Sequence, residues 1–183
     1  ADGSSVFTKE NRFSYFPSFS LSWVLSEERF IKDLNIFDRL KLRGGWGITG
    51  NQGGISSDTK LANLRTRSYD YGSRTNYSGT EPDSPANTGL KWERTTQRDI
   101  GLDASFLKNR LNISMDYFSK ETNDVILARN LPKYDGGYRI MQNIGQVDNK
   151  GFEFSADYQV LNKSGLEWNV GFNISTVKNE VVN

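Results

Sequence analysis

The chain contains no cysteine and no histidine. That removes zinc sites of the usual Cys/His kind, thiol nucleophiles, histidine-based triads and any imidazole switch near neutral pH. Without cysteine there are no disulfides, so an oxidising compartment is neither required nor excluded. Charge of one sign is missing too: 23 Lys+Arg against 22 Asp+Glu leave +1, no field to draw nucleic acid or anionic lipid. No apolar run approaches the ~18 residues of a spanning helix, and the mean hydropathy is −0.63, which excludes a helical membrane protein. No charged-then-apolar leader opens the chain. Ala1-Asp2-Gly3-Ser4-Ser5 reads as the middle of a loop, so the 183 residues are expected to be a piece of something larger.

Aromatics are plentiful: 11 Phe, 8 Tyr and 4 Trp carry much of the hydrophobic content. They fall into a period-two pattern, the mark of strands with two unlike faces. In 13–24, Phe13, Tyr15, Phe19, Leu21 and Trp23 alternate with Ser14, Ser18, Ser20 and Ser22. In 39–49, Leu40, Leu42, Trp46 and Ile48 oppose Arg39, Lys41, Arg43 and Thr49. The windows 95–106, 110–120, 150–160 and 166–176 behave alike; Phe152, Phe154, Ala156 and Tyr158, for example, oppose Glu153, Ser155 and Asp157. Only Phe16, Val24 and Phe118 put a large apolar side chain on the polar side.

Six strands of about eleven residues are therefore expected, roughly twice the ~5–6 of soluble proteins and matching the ~9–11 of a tilted membrane strand. The links 107–110 and 161–165 are short. The link 26–38 is modest, with Ser26 expected to N-cap a short helix whose first turn holds Glu27 and Glu28. The connections 50–94 and 121–149 are long. In an up-and-down meander all the short links fall at one end, as in outer-membrane barrels with short periplasmic turns and long extracellular loops. Trp23, Trp46, Tyr117, Tyr158 and Trp168 would supply interfacial girdles. Alternation does not say which face meets water, so a soluble sandwich or small barrel binding glycan or protein partners stays as the alternative. Six strands are too few to close a membrane barrel, whose smallest examples have ~8.

A set of short matches, in order along nearly the whole chain, resembles the barrel of SusC/RagA-type TonB-linked outer-membrane transporters of Bacteroidota. They include Phe16-Pro17-Ser18 leading to Leu21-Ser22-Trp23, Leu40-Lys41-Leu42-Arg43 running into Gly47-Ile48-Thr49-Gly50-Asn51-Gln52, Leu90-Lys91-Trp92-Glu93, Asn143-Ile144-Gly145 and Asn149-Lys150-Gly151-Phe152-Glu153. The resemblance implies an all-β, antiparallel transmembrane barrel of about 22 strands, a plugged class. Residues 1–183 would be a partial barrel domain without signal peptide, plug or terminal strands. It further implies location in the outer membrane of a Gram-negative, Bacteroidota-like cell, and TonB-dependent import of large nutrients, glycans or peptides. The implied partners are a SusD-like surface lipoprotein, TonB through an N-terminal part, and membrane lipid, with no nucleic acid.

Site chemistry is sparse. Gly45-Trp46-Gly47-Ile48-Thr49-Gly50 fits a dinucleotide string, but no helix is expected after it; relief of crowding on a hydrated wall, or a bend in the strand, explains Gly45 and Gly47 better. Asp99 and Asp103, or Glu153 and Asp157, share a face about 13 Å apart along a strand. That exceeds the ~5–10 Å of glycosidase carboxylates, so these acids are expected to face Arg39, Lys41 and Arg43 across strands. No catalytic, cofactor or metal residue is assigned. Tyr69, Tyr71, Tyr77, Tyr134 and Tyr138, among Arg65, Arg67, Arg74 and Arg139 in the two long connections, are the candidates for substrate or lipoprotein contact, with packing of loop against loop as the equal alternative.

Overall fold

The computed structural model describes residues 1–56, 59, 61–70, 76–132, 137–163 and 165–182, with backbone alone at 69, 70, 76, 84 and 163. Among the described residues ten strands run in chain order: β1 (Asp2–Gly3), β2 (Phe13–Ser14), β3 (Ser18–Val24), β4 (Arg39–Asn51), β5 (Asn63–Asp70), β6 (Asn76–Ser84), β7 (Glu93–Phe106), β8 (Leu111–Asn130), β9 (Arg139–Lys163) and β10 (Leu166–Val182). Six of them form one antiparallel sheet in the order β10-β9-β8-β7-β4-β3. Sequence neighbours within this sheet are spatial neighbours, apart from the β5–β6 hairpin inserted between β4 and β7. This is the expected meander, open at β3 and at β10.

Register carries the period-two pattern across every pair. One lateral row reads Trp23, Leu42, Leu102, Met115, Phe154, Ile174; the next toward the long connections reads Leu21, Gly44, Ile100, Tyr117, Phe152, Thr176. The apolar side chains thus share one face, and they are left uncovered: Phe19 is 66% exposed and Phe172 58%. Five aromatics flank this band, with Trp46 and Tyr117 toward its long-connection edge and Trp23, Tyr158 and Trp168 toward its short-link edge.

Strand lengths depart from the expectation. β8 has 20 residues and β9 has 25, so most of the 121–149 connection is strand and only 131–138 lies between the two. At 3.3 Å per residue β9 runs on the order of 80 Å, well past any hydrocarbon layer. The other long connection contains the β5–β6 hairpin. The first window is broken: Pro17 has no N–H to donate, Phe13–Ser14 pairs with Asp2–Gly3 in a separate ribbon, and the strand of the main sheet starts at Ser18 and keeps only seven residues. Phe16, at the break, lays its ring against Gly50 and meets Trp92 edge-on at 5.5 Å.

The link after β3 also differs. Ser26 lies inside a 3-10 turn (Leu25–Glu27) and caps nothing; the one-turn helix α1 (Arg29–Lys32) starts from Glu28, which makes no side-chain cap bond. The Glu28 carboxylate accepts the Trp23 indole N–H at 3.0 Å instead. At the 107–110 turn, Leu107, Lys108 and Asn109 all have positive φ (58°, 62° and 61°). Asp38 holds this turn by accepting the Asn109 N–H at 2.9 Å, and Arg110 donates to the carbonyls of Gln159 and Val160.

Candidate functional site

On the polar face, Arg43 of β4 reaches across two strands. Its Nε donates to Asp103 Oδ2 of β7 at 3.2 Å, and its Nη2 donates to Asp116 Oδ2 of β8 at 2.7 Å and to Ser114 Oγ at 3.3 Å. Ser114 in turn donates to Asp103 at 2.8 Å. The reach depends on Gly101, which stands between Arg43 and Asp116 in register; a Cβ there would lie 2.5 Å from Asp116 Oδ1 and 2.7 Å from Arg43 Cζ. The same device recurs. The Asp99 carboxylate lies over Gly45, Asp157 over Gly171, and the Phe118 ring over Gly151. Phe118, the apolar exception on this face, thereby covers backbone, with the Lys120 ammonium 5.5 Å from its ring.

Of the acids expected to face cations across strands, Asp103 does so at Arg43, whereas Asp99 stands opposite Gly45 and Phe118, Glu153 opposite Ser175 and Asp116, and Asp157 opposite Gly171 and Asn112. Lys41 stands opposite Asp103 and Arg39 opposite Ser105, but neither forms an ion pair among the described residues. The string Gly45–Gly50 lies wholly inside β4 with no helix after it, so it cradles no phosphate; Gly45 and Gly47 make room for Asp99 and Ser18. Sequence spacing missed the convergence of Asp103 and Asp116 on Arg43, because it is set by the β4–β7–β8 register. Both carboxylates are engaged by Arg43, which makes the group a strut across the wall.

At the long-connection end, two features come together. The first is a small apolar core of Val6, Phe7, Ile55, Leu90 and Ile126, against which Trp92 and Met141 pack. Leu90 is 1% exposed, and Glu93, at 8%, is buried with its polar atoms satisfied: it accepts the Ile126 N–H at 2.7 Å and the Asn51 amide at 2.6 Å. Asn143 stitches the same seam, accepting the Lys91 N–H and donating to the carbonyls of Lys91 and Asp124. The Leu90–Glu93 and Asn143 matches thus belong to one structural seam.

The second is a cavity of about 620 Å³ between the hairpin and the start of β9, whose lining includes Asn63, Arg65, Asp83, Tyr138, Arg139 and Met141. Of the tyrosine candidates, Tyr138 lines this cavity, with Arg139 beside it. Tyr77 is exposed on the hairpin, opposite Tyr69 in register. The Tyr69 side chain, and Tyr71, Tyr134 and Arg74 altogether, lie outside the described residues. Arg65 and Arg67 both bind Glu81, through Arg65 Nε at 2.5 Å and Arg67 Nη1 at 3.1 Å. The hydrogen bond from Arg65 holds the Glu81 carboxyl below the usual carboxylate range, and the same bond raises the Arg65 guanidinium. Among the described residues no group of three or more acidic side chains is arranged to hold a metal ion.

Long antiparallel strands in a meander, an uncovered apolar face, a hydrated face crossed by charge pairs and elaborated connections at one end define the wall of a transmembrane β-barrel. The chain belongs to the TonB-dependent receptors: residues 1–181 match the family model for the TonB dependent receptor-like β-barrel. It is 38% identical over 181 residues to TonB-dependent receptor P3 of Formosa agariphila, covering 99% of this chain and 18% of that protein. It is likewise 38% identical over 186 aligned positions to TonB-dependent receptor SusC of Bacteroides thetaiotaomicron, covering 98% of this chain and 18% of the relative. Among solved structures, the RagAB peptide importer in its closed-closed state superposes with a TM-score of 0.85 at 25% identity, over 98% of this chain and 19% of that one. The chain spans about a fifth of the length of these relatives.

Proposed function

We propose that the whole protein imports large nutrients, glycans or peptides, across the outer membrane of a Gram-negative bacterium. Residues 1–183 would supply a later part of the barrel wall, with the remaining strands and a plug elsewhere in the polypeptide. The observation that carries this reading is the sheet itself: a six-stranded wall whose uncovered apolar face only lipid suits, matched along its length to SusC. The 107–110 turn and the link from β9 to β10 would face the periplasm, and the hairpin and the cavity beside it the exterior. TonB would supply the energy through a segment outside this one, and a SusD-like lipoprotein would close over the exterior loops. Tyr138, Arg139, Tyr77 and the hairpin tyrosines are proposed as contacts for that lipoprotein or for substrate.

Cell fractionation of the full-length protein tests the location. Recovery in the outer-membrane fraction is expected, and recovery in soluble periplasm or medium would favour the rival soluble β-domain. Deletion of the gene should abolish growth on one polymeric or peptide nutrient while leaving growth on its monomers intact. Unchanged growth and uptake on every such nutrient would overturn the import reading.

A further inference from the structure

From β7 to β10 the apolar face ends abruptly, and the row beyond its edge is cationic, while Phe19 and Trp46 continue the apolar surface at the β3–β4 end of that row. Past the row Ile100, Tyr117, Phe152 lies the row Trp46, Arg98, Ser119, Lys150, Lys178, on the same face and one step closer to the long connections. A step of two residues is ~6.7 Å. Lys150 and Lys178 stand directly opposite each other, an arrangement of like charges that destabilises a strand pair unless an anion is shared. The next row carries Glu121, Asp148 and Glu180. Among the described residues only Glu180 of these three takes a cation, binding Lys178 at 3.0 Å, while Glu121 and Asp148 accept from Asn123 and Gln146. Arg98 and Lys150 are exposed and form no ion pair among the described residues.

We propose that Arg98 and Lys150, flanked by Trp46 and Lys178, form a binding site on the outer barrel surface for the phosphate of an outer-leaflet lipid. The proposal rests on the outer-membrane reading of the preceding section. The two cations sit two strands apart, about 10 Å, bracketing Ser119, whose hydroxyl adds a donor between them. Long cationic side chains at the edge of an apolar band keep their stems on hydrocarbon and their heads at headgroup level. Trp46 beside Arg98 marks the same level, where amphipathic rings collect. On the polar face the cations Lys41, Arg43 and Lys120 are instead interspersed with Asp99, Asp103 and Asp116.

The test uses full-length protein purified from membranes and reconstituted in phosphatidylcholine vesicles doped with phosphatidic acid or, as the phosphate-free arm, diacylglycerol. The readout is the amount of each dopant co-purifying with the barrel. Wild-type protein should retain phosphatidic acid and not diacylglycerol. Arg98→Gln with Lys150→Gln should lower that retention roughly ten- to thirtyfold, since each basic residue near an anionic surface contributes on the order of a factor of five. Arg98→Lys with Lys150→Arg should restore it, and Lys120→Gln, on the other face, should leave it unchanged. A folded double variant, shown by the heat-dependent gel shift of intact barrels, that retains phosphatidic acid like wild type would overturn the proposal. So would a loss equalled by Lys120→Gln, which would mean a general charge effect. If wild-type protein fractionates away from the outer membrane, the location reading fails first; if it fractionates there and retention is indifferent to Arg98 and Lys150, the lipid site alone fails.

Discussion

At the scale of single residues, glycine decides where charge can cross this wall. Gly101 leaves a gap through which Arg43 meets Asp116, whereas a Cβ on Gly44, on the opposite face, would find its nearest neighbour at an ordinary 3.6 Å. Gly101→Ala should therefore part the guanidinium from Asp116 and lower stability by about 1–2 kcal/mol, the range of a strained charge-assisted bond partly open to water. Gly44→Ala should change it by less than about 0.5 kcal/mol. The temperature at which the full-length barrel loses its heat-dependent gel shift separates the two. Equal shifts for both variants would show that Gly101 is not a slot.

Glu81 offers a second residue-scale expectation, outside the membrane band. Its folded carboxyl is held below its ordinary value of 4.5 by Arg65, so the stabilisation is fully present above that value and is lost as pH falls through the lowered folded value. The hairpin should stay closed from neutral pH down to about pH 5 and open only in stronger acid. The distance between spin labels at Thr66 and Ser78 would report it. Opening between pH 7 and 5 would contradict the Arg65–Glu81 assignment, and Glu81→Gln should remove the acid transition while loosening the hairpin at neutral pH.

At the scale of elements, the short turn after β7 is the place where local chemistry and conformation disagree. Leu107 and Lys108 adopt the left-handed region at a cost of about 1–2 kcal/mol each for a side-chain-bearing residue, and Asp38 and Asn112 brace the turn. Lys108→Gly should raise the thermal midpoint of the full-length barrel, and Lys108→Val should lower it. A Lys108→Gly variant no more stable than wild type would mean that the turn is not strained. Elements also show what a sequence can and cannot announce. The band between Trp46 and Trp168 was legible because one face is apolar and the other polar. The extensions Thr122–Asn130 and Arg139–Gly145 were not, since Glu121 and Asn123 alternate with the equally polar Thr122 and Asp124 and Val125, Ile126, Leu127 and Ala128 then run without a polar break, so no contrast remains to reveal a period. The same holds for Asn63–Asp70, largely polar on both faces and paired, among the described residues, with Asn76–Ser84. Of the tyrosine and arginine candidates, Tyr138 and Arg139 line a cavity beside the hairpin, a juxtaposition that composition alone does not specify. The Arg43–Asp103–Asp116 strut needed the β4–β7–β8 register, which no spacing within one strand encodes.

At the scale of the whole molecule, the two faces must meet two different media. Spin labels at Leu42 and Phe154 in the intact protein should contact acyl chains, and labels at Lys41 and Glu153 should contact water; the reverse would invert the wall.

The open edges lead to a further expectation for residues 1–183 expressed alone. β10 pairs with β9 on one side only, so about half of the N–H and C=O groups of its 17 residues project from the edge, and β3 repeats this at the other edge. In lipid each such group costs several kcal/mol, which is why spanning sheets close. In water the edges are tolerable, but Phe19, Leu21, Trp23, Ile100, Phe172 and Ile174 then form an apolar surface that soluble monomers do not carry. The small core at the long-connection end, with Phe7 and Leu90 as its fully buried large side chains, is too slight to offset that exposure. Neither medium suits the segment by itself, and the cheapest escape is pairing edge to edge and face to face with further copies. Expressed alone it should aggregate, and any ordered form should show strands or chains covering both β3 and β10. A sharp monomeric peak in detergent-free buffer with a cooperative melting transition would show that the apolar face has found cover within the chain, and would return the soluble β-domain to first place.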